Sequence, residues 1–247
     1  MLIVETRDGI CRLTMNRPER RNALGSESMA LLLAALQAAD IDSEVRVIVL
    51  TAAAPAFCAG SDLKELGGLS PEEMCRHEAA TAAVVRYFAA MDKPIIAAVE
   101  GYALGGGFAL AAACDVVVTS VSTRWHMPEV SNGWLPPWGL KALIARTGPH
   151  RARSLCWGLE ALNGEQAVSI GLADVMCDPG HAEDTALTLA HKFVALPAES
   201  VTSCKRFYDP FLNADAEYLD RVASDYFASD CQGERAKTIL AKFGEKK

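Results

Sequence analysis

The chain has 247 residues, of which 51% are hydrophobic and 22% charged, with 18 Gly and 11 Pro; these are ordinary globular values and exclude disordered, collagenous and coiled-coil classes. A chain of this length forms one large domain, or one domain with a small appendage, and buries roughly 70% of its unfolded surface, so it needs neither disulfides nor metal to fold. With 24 Lys plus Arg against 31 Asp plus Glu, the net charge is −7, and nothing in it points to a nucleic-acid partner, which would require a basic patch.

Residues 2–7 and 10–15 alternate apolar and polar across Asp8-Gly9, a tight hairpin signal. Ser26 is expected to cap an Ala/Leu-rich helix that runs to about Ala39, and Val45 to Leu50 reads as a buried strand. Ser70-Pro71-Glu72-Glu73 is a capping box with Pro at the first helical position, opening a helix to about Ala90. An apolar strand over Pro94 to Val99, a helix over Leu104 to Ala113 and a β-branched strand over Asp115 to Thr119 follow. Strands and helices that alternate, with the strands apolar almost throughout, predict a parallel sheet inside an α/β domain. After about residue 140 the pattern turns helical, at 138–146, 150–158, 164–170, 182–196, 198–210, 214–229 and 233–243, with a short strand near 173–176. The last 60 or so residues thus carry helices with one apolar stripe each, which must dock on the chain's own core or on a neighbouring subunit.

The N-terminal segment reads as a strand rather than a charged-then-apolar leader. The longest uncharged stretch of the apolar centre, Gly101 to Cys114, is too short for a helix to cross a ~30 Å bilayer, so no membrane span is expected. The eight Cys are scattered without a C-x-x-C pair, which predicts free thiols in a reducing cytoplasm.

Parallel α/β proteins bind ligands in the loops after their strands, and two such loops stand out. The first runs from Ala56 to Leu66 and contains Ala59-Gly60-Ser61-Asp62-Leu63-Lys64; the second runs from Glu100 to Leu110 around Gly105-Gly106-Gly107. Three glycines opening a helix leave backbone N–H groups bare at the positive end of its dipole, where an anion or a developing oxyanion can approach. Tight packing of helix on strand explains a glycine triplet equally well. Neither G-x-G-x-x-G nor a P-loop is present, and no Ser lies in a nucleophile elbow. The five His lack metal-ligand spacing; His77 and His191 read as helix-surface residues. His126 differs, lying in Trp125-His126-Met127-Pro128-Glu129, a mainly apolar segment with one acid. A carboxylate in apolar surroundings holds its proton more tightly and suits acid–base work.

Taken in order, Asn16-Arg17-Pro18, Asn22-Ala23-Leu24, Phe57 to Lys64, Gly101 to Gly107 and Met127-Pro128-Glu129 resemble the enoyl-CoA hydratase/isomerase family, the crotonases. The resemblance runs from about residue 2 to 243, and Asn163 to Ala167 with Gly171-Leu172-Ala173 resembles the family's later helix and turn. It implies an α/β fold, a crotonase-like spiral of ββα units, with an acyl-CoA core over residues 1–180. Residues 181–247 would then form a helical oligomerisation region that makes a homotrimer or a dimer of trimers. It implies an acyl-CoA thioester substrate, with coenzyme A as part of the substrate and no separate cofactor or metal.

By motif position, the backbone N–H groups of Ser61 and Gly106 would form an oxyanion hole for a thioester enolate. Ser61, Asp62, Leu63 and Lys64 would line the CoA path. Arg20 and Arg21 stand where the family approaches the CoA phosphates, with surface solubility as the alternative role.

Two departures bear on the reaction. Family hydratases carry one glutamate two residues after the glycine triplet and another after the Pro of the x-P-E segment. Here the second is Glu129, but the first is Ala109. A single glutamate matches members that shift a double bond from the 3- to the 2-position, and also members that cleave or form carbon–carbon bonds. A non-catalytic acyl-CoA-binding relative is a further alternative. The second departure is Pro136-Pro137-Trp138-Gly139-Leu140 in place of a Pro-Gly-x-Gly-Gly turn, so Pro137 and Trp138 are expected to reshape the acyl pocket. Near the C-terminus, Arg235 stands at a position usually Gly.

Overall fold

The computed structural model describes residues 1–244. The chain opens with the expected hairpin, β1 (Leu2–Arg7) and β2 (Ile10–Met15), antiparallel and in the register Leu2↔Met15 to Arg7↔Ile10. Asp8 and Gly9 both have positive φ, 50° and 80°, as a two-residue hairpin turn matching the strand twist requires. Helix α1 (Ser26–Ile41) follows, and its cap differs from expectation. Gly25 is the N-cap, and the Ser26 N–H donates to the carboxylate of Glu65, a distant residue.

β3 (Val47–Ala52) leads into the short helix α2 (Leu63–Leu66) and the long helix α3 (Pro71–Ala90). The capping box of α3 forms as read: Ser70 Oγ accepts from Glu73 N at 3.3 Å and the Glu73 carboxylate from Ser70 N at 2.8 Å. β4 (Ile95–Val99), β5 (Tyr102–Leu104) and α4 (Gly106–Ala112) come next, then β6 (Val116–Ser120), β7 (Arg124–His126) and α5 (Glu129–Asn132).

The main sheet has the order β1-β2-β3-β4-β6 and then β8 (Val175–Cys177), parallel from β2 onward. A second, smaller sheet pairs β5 with β7 in parallel, and a bridge from Cys58 to Ala103 extends it. Each inner strand of the large sheet is thus followed by a short stretch in the small sheet and then by a helix. That repeat is the ββα spiral.

Why the inner strands are apolar on both faces is visible in their alternation. Ile48, Leu50, Ile95, Ala97 and Val99 face the main core with Leu32, Leu36, Phe88 and Phe108. Val47, Val49, Ile96 and Ala98 face the other way, against Ala182, Ala186 and Ala190. Those three alanines lie four residues apart on α9 (Ala182–Val194), one face of a helix small enough to lie close on the sheet. Helix α9 therefore completes the core, and the chain leaves the sheet only after Val194, later than the expected boundary near residue 180.

Between β7 and α9 lie α6 (Leu140–Thr147), α7 (Pro149–Trp157) and α8 (Gly164–Ser169). Beyond α9 are α10 (Ala198–Asn213), α11 (Ala216–Asp230) and α12 (Glu234–Gly244). The last two fold back on the front of the molecule. Phe227, Cys231, Ala236 and Leu240 form a separate apolar cluster with Leu66, Met74 and Trp134. Arg235 holds this arrangement: its Nε donates to Ser131 O at 3.1 Å and ties α12 to α5. No described helix is long and apolar enough to cross a membrane.

Candidate active site

The Asn22 motif is a clamp. Asn22 lies in the left-handed region (φ 54°), which Asn tolerates better than most residues. Its side-chain amide donates to Ala53 O at 2.8 Å and Ala56 O at 2.7 Å, and its Oδ1 accepts from Arg17 N at 2.7 Å. This fixes the loop after β3 to the segment after β2. Leu24 then bonds on both sides of Ser61: Leu24 N donates to Gly60 O, and Asp62 N to Leu24 O, each at 2.8 Å. Because an extended chain turns successive amides to opposite sides, the Ser61 N–H points away from Leu24. Gly106, the first residue of α4, lies on that side. A Cβ added at Gly106 would stand 3.4 Å from Ser61 N, and one added at Gly60 would stand 3.1 Å from Gly106 N.

Each glycine of the triplet answers a different need. At Gly105 (φ 51°) a Cβ would sit 2.3 Å from Glu129 Oε1, so its absence admits the carboxylate. At Gly106 a Cβ would fill the space beside Ser61 N and meet Trp138 Cζ2 at 3.0 Å. At Gly107 it would strike Cys58 O at 2.3 Å, so that glycine serves close packing of α4 on the segment that follows β3. The two readings of the triplet, anion approach and tight packing, are divided among its members.

These backbone groups open into a cavity lined by Ser61, Leu63, Glu78, Glu129, Pro137 and Trp138, with Phe227 and Leu240 of the C-terminal helices along its wall. The chain therefore covers its own pocket. Glu129 is 8% exposed, and its Oε2 is buried without a hydrogen-bond partner. Burial, with a smaller contribution from the charge of Glu78, pushes its pKa up to about 7 against the pull of its own backbone N–H.

Glu78 is the second cavity carboxylate, and it is 1% exposed. Its Oε2 accepts from Trp138 Nε1 at 2.6 Å and from Ser61 Oγ at 3.1 Å, while Oε1 is buried without a partner. His77 is buried too, contrary to the helix-surface position expected of it, whereas His191 is exposed as expected. Its Nδ1 lies 3.4 Å from Glu78 Oε1 and its Nε2 3.6 Å from Glu65 Oε1. The Glu78 carboxylate holds the His77 pKa above its ordinary value against the opposing effect of burial, with help from Glu65 and Asp62. A signal for both residues exists in the sequence. The buried stripe of α3 runs Met74, His77 and Glu78, Thr81, Val84 and Val85, Phe88, so an acid and an imidazole occupy positions where the helical period demands apolar groups.

Of the residues singled out from the sequence, Ser61, Leu63, Gly106, Glu129, Pro137 and Trp138 meet at this cavity. Asp62 is turned away from it: the carboxylate caps α2 through Lys64 N at 3.1 Å and pairs with Arg17 at 3.2 Å and with Arg20. Burial raises its pKa, but the two guanidiniums more than offset this and hold it below the usual range. Arg20 is thereby committed to Asp62, whereas Arg21 and Lys64 are exposed. The Arg21 carbonyl accepts from Ala59 N at 3.0 Å, which keeps its backbone against the Ser61 loop. His126 is half-buried, and its Nδ1 has no partner. Ala109 faces Gly139, where an added Cβ would lie only 2.7 Å from the alanine Cβ. Ala109 also lines the cavity, so α4 brings no carboxylate into it at this position. Among the described residues, no group of three or more His, Cys, Asp or Glu is arranged to hold a metal ion.

Residues 5–247 match the sequence family described as enoyl-CoA hydratase/isomerase. The chain is 29% identical over 248 residues to a short-chain-enoyl-CoA hydratase of Clostridium acetobutylicum, an alignment covering 100% of this chain and 95% of that protein. It is 36% identical over 197 residues to the 2,3-dehydroadipyl-CoA hydratase of Escherichia coli, covering 77% and 74% of the two chains. The crystal structure of an enoyl-CoA hydratase/isomerase from Mycobacterium paratuberculosis superposes with a TM-score of 0.86 at 25% identity, covering 98% of this chain and 97% of that one. A match over nearly the whole length, in sequence and in fold, means that this chain belongs to the enoyl-CoA hydratase/isomerase family of acyl-CoA enzymes.

Proposed function

We propose that this enzyme isomerises or hydrates the double bond of an enoyl-CoA through a thioester enolate, with Glu129 as its acid–base group. The observation that carries the reading is the buried, unpartnered Oε2 of Glu129 in the same cavity as Ser61 and Gly106. Two backbone N–H groups aimed at one point stabilise an oxyanion without reorganising, an effect worth ~3–4 kcal/mol per donor. A carboxyl with a pKa of about 7 both takes and gives a proton near neutrality.

The thioester oxygen sits between Ser61 N and Gly106 N, and the acyl chain runs past Pro137 and Trp138. Leu63 lines the CoA end, and the exposed cations of Arg21 and Lys64 meet the CoA phosphates. Arg20 and Asp62 serve that end by fixing the loop. No cofactor is required, since coenzyme A arrives as part of the substrate. The enzyme works in the cytoplasm, where eight free thiols remain reduced. Its α10 face carries Phe207, Tyr208 and Phe211, all exposed, which supports assembly into a trimer or a dimer of trimers.

The test is a screen of 2-enoyl, 3-enoyl and aryl CoA thioesters followed by product mass. A gain of one water marks hydration, unchanged mass with altered ultraviolet absorbance marks isomerisation, and a shorter acyl product refutes both. Glu129→Gln should lower the rate by roughly 10²–10⁴ with nearly unchanged CoA-ester affinity.

A further inference from the structure

We propose that Glu78, on helix α3, is the second acid–base group of this site and takes the proton of the water that adds to a 2-enoyl-CoA. The inference rests on the enolate reading above and decides it in favour of hydration. Glu78 is almost fully buried in the cavity wall, and the stripe of α3 that it interrupts is otherwise mostly apolar. A buried carboxylate is costly unless something holds it, and here Trp138 and Ser61 hold one oxygen only. The other, Oε1, is buried and lies 3.4 Å from His77 Nδ1, so the carboxylate joins the cavity wall to a second titratable side chain.

Ala109 brings no carboxylate to the cavity wall, and Trp138, on the same wall, donates the hydrogen bond that positions Glu78. Ser61 supplies the second tether, so the carboxylate is fixed beside the backbone N–H assigned to the thioester oxygen.

In the hydration step the water oxygen bonds to C3 while one of its O–H bonds breaks, and that proton goes to the Glu78 carboxylate. The π pair of C2=C3 moves toward the thioester, and the resulting enolate oxygen is held by Ser61 N and Gly106 N. Neutral Glu129 then gives its proton to C2 as the enolate pair forms the C–H bond. One water is consumed, and a 3-hydroxyacyl-CoA results. Glu78 must then lose a proton and Glu129 regain one. His77, between Glu78 and the partly exposed Glu65, offers Glu78 a route to solvent.

Two readouts separate this inference from the one it rests on. Uptake of deuterium at C2 of butanoyl-CoA in D2O reports enolisation by Glu129 alone; conversion of 2-butenoyl-CoA to the 3-hydroxy product reports water addition. The wild type should do both, and Glu129→Gln should lose both. Glu78→Gln should keep C2 exchange within about threefold and lose hydration by roughly 10²–10⁴-fold. Glu78→Asp keeps a carboxylate but withdraws it by one methylene; it should show the same split, and it is the arm to read if the amide variant misfolds. Hydration by Glu78→Gln within about tenfold of wild type overturns the proposal. So does a parallel loss of exchange and hydration with butanoyl-CoA still bound, since Glu78 would then only shape the pocket. A wild type without C2 exchange removes the enolate reading, and this proposal with it.

Discussion

Glu129 should leave a signature in folding as well as in catalysis. Its pKa stands at about 7 in the folded chain, chiefly through burial, against an ordinary value of 4.5 once exposed by unfolding. Below the lower value both states hold the proton, and Glu129 costs nothing. As pH rises from there to about 7, the unfolded chain releases its proton while the folded chain retains it, so stability falls with pH. Above about 7 both states are ionised and the penalty is constant. A difference of this size amounts to about 3 kcal/mol in full, and about 2–3 kcal/mol of it falls between roughly pH 5 and pH 8. Glu129→Gln removes the titration but leaves every other group in place. Urea unfolding of both proteins at those two pH values should therefore show the variant gaining about 2–3 kcal/mol on the wild type at the higher pH. pH-independent effects of the amide cancel in the double difference. A double difference below about 0.5 kcal/mol would refute the burial argument.

Gly106→Val should abolish turnover, because its Cβ would stand 3.4 Å from Ser61 N and press on Trp138 at 3.0 Å; a folded variant retaining more than about a tenth of the wild-type rate contradicts the oxyanion assignment. Ala109→Glu puts a larger, ionisable side chain at a buried position beside Gly139 on the cavity wall and should lower stability by about 1–3 kcal/mol, read as a reduced Tm. Sedimentation of the purified chain should give a trimer or a dimer of trimers, and a clean monomer at micromolar concentration would remove the role given to the exposed aromatic face of α10.

Much of this protein is legible in the order of its residues because the relevant physics is local. The hairpin at Asp8-Gly9 follows from which residues tolerate positive φ, and the capping box at Ser70 from two side chains three positions apart. The apolar strands announce a parallel sheet because both of their faces are covered. The positions of Ser61, Gly106 and Glu129 follow from motif order and spacing, whereas the short strands β5 and β7 that lead into Gly106 and Glu129 are not marked by hydropathy. Element ends shifted by a residue or two, as with β3, which runs Val47–Ala52 rather than 45–50, because hydrogen-bond register sets the ends and hydropathy does not.

What only the tertiary structure decided depends on which distant segments meet. Asp62 stands in the same loop as Ser61, yet Arg17 and Arg20, more than 40 positions away, turn it from the cavity. The cap of α1 comes from Glu65, on another helix. Ala109 suggests an acid missing from the site, which would follow only if no residue outside the motifs reached the pocket. Glu78 enters from α3, 60 residues before its partner Trp138, and no local pattern gives a reason to join them. Sequence alone determines where backbone amides and helix faces point; which carboxylates share a cavity is settled by packing between elements far apart in the chain.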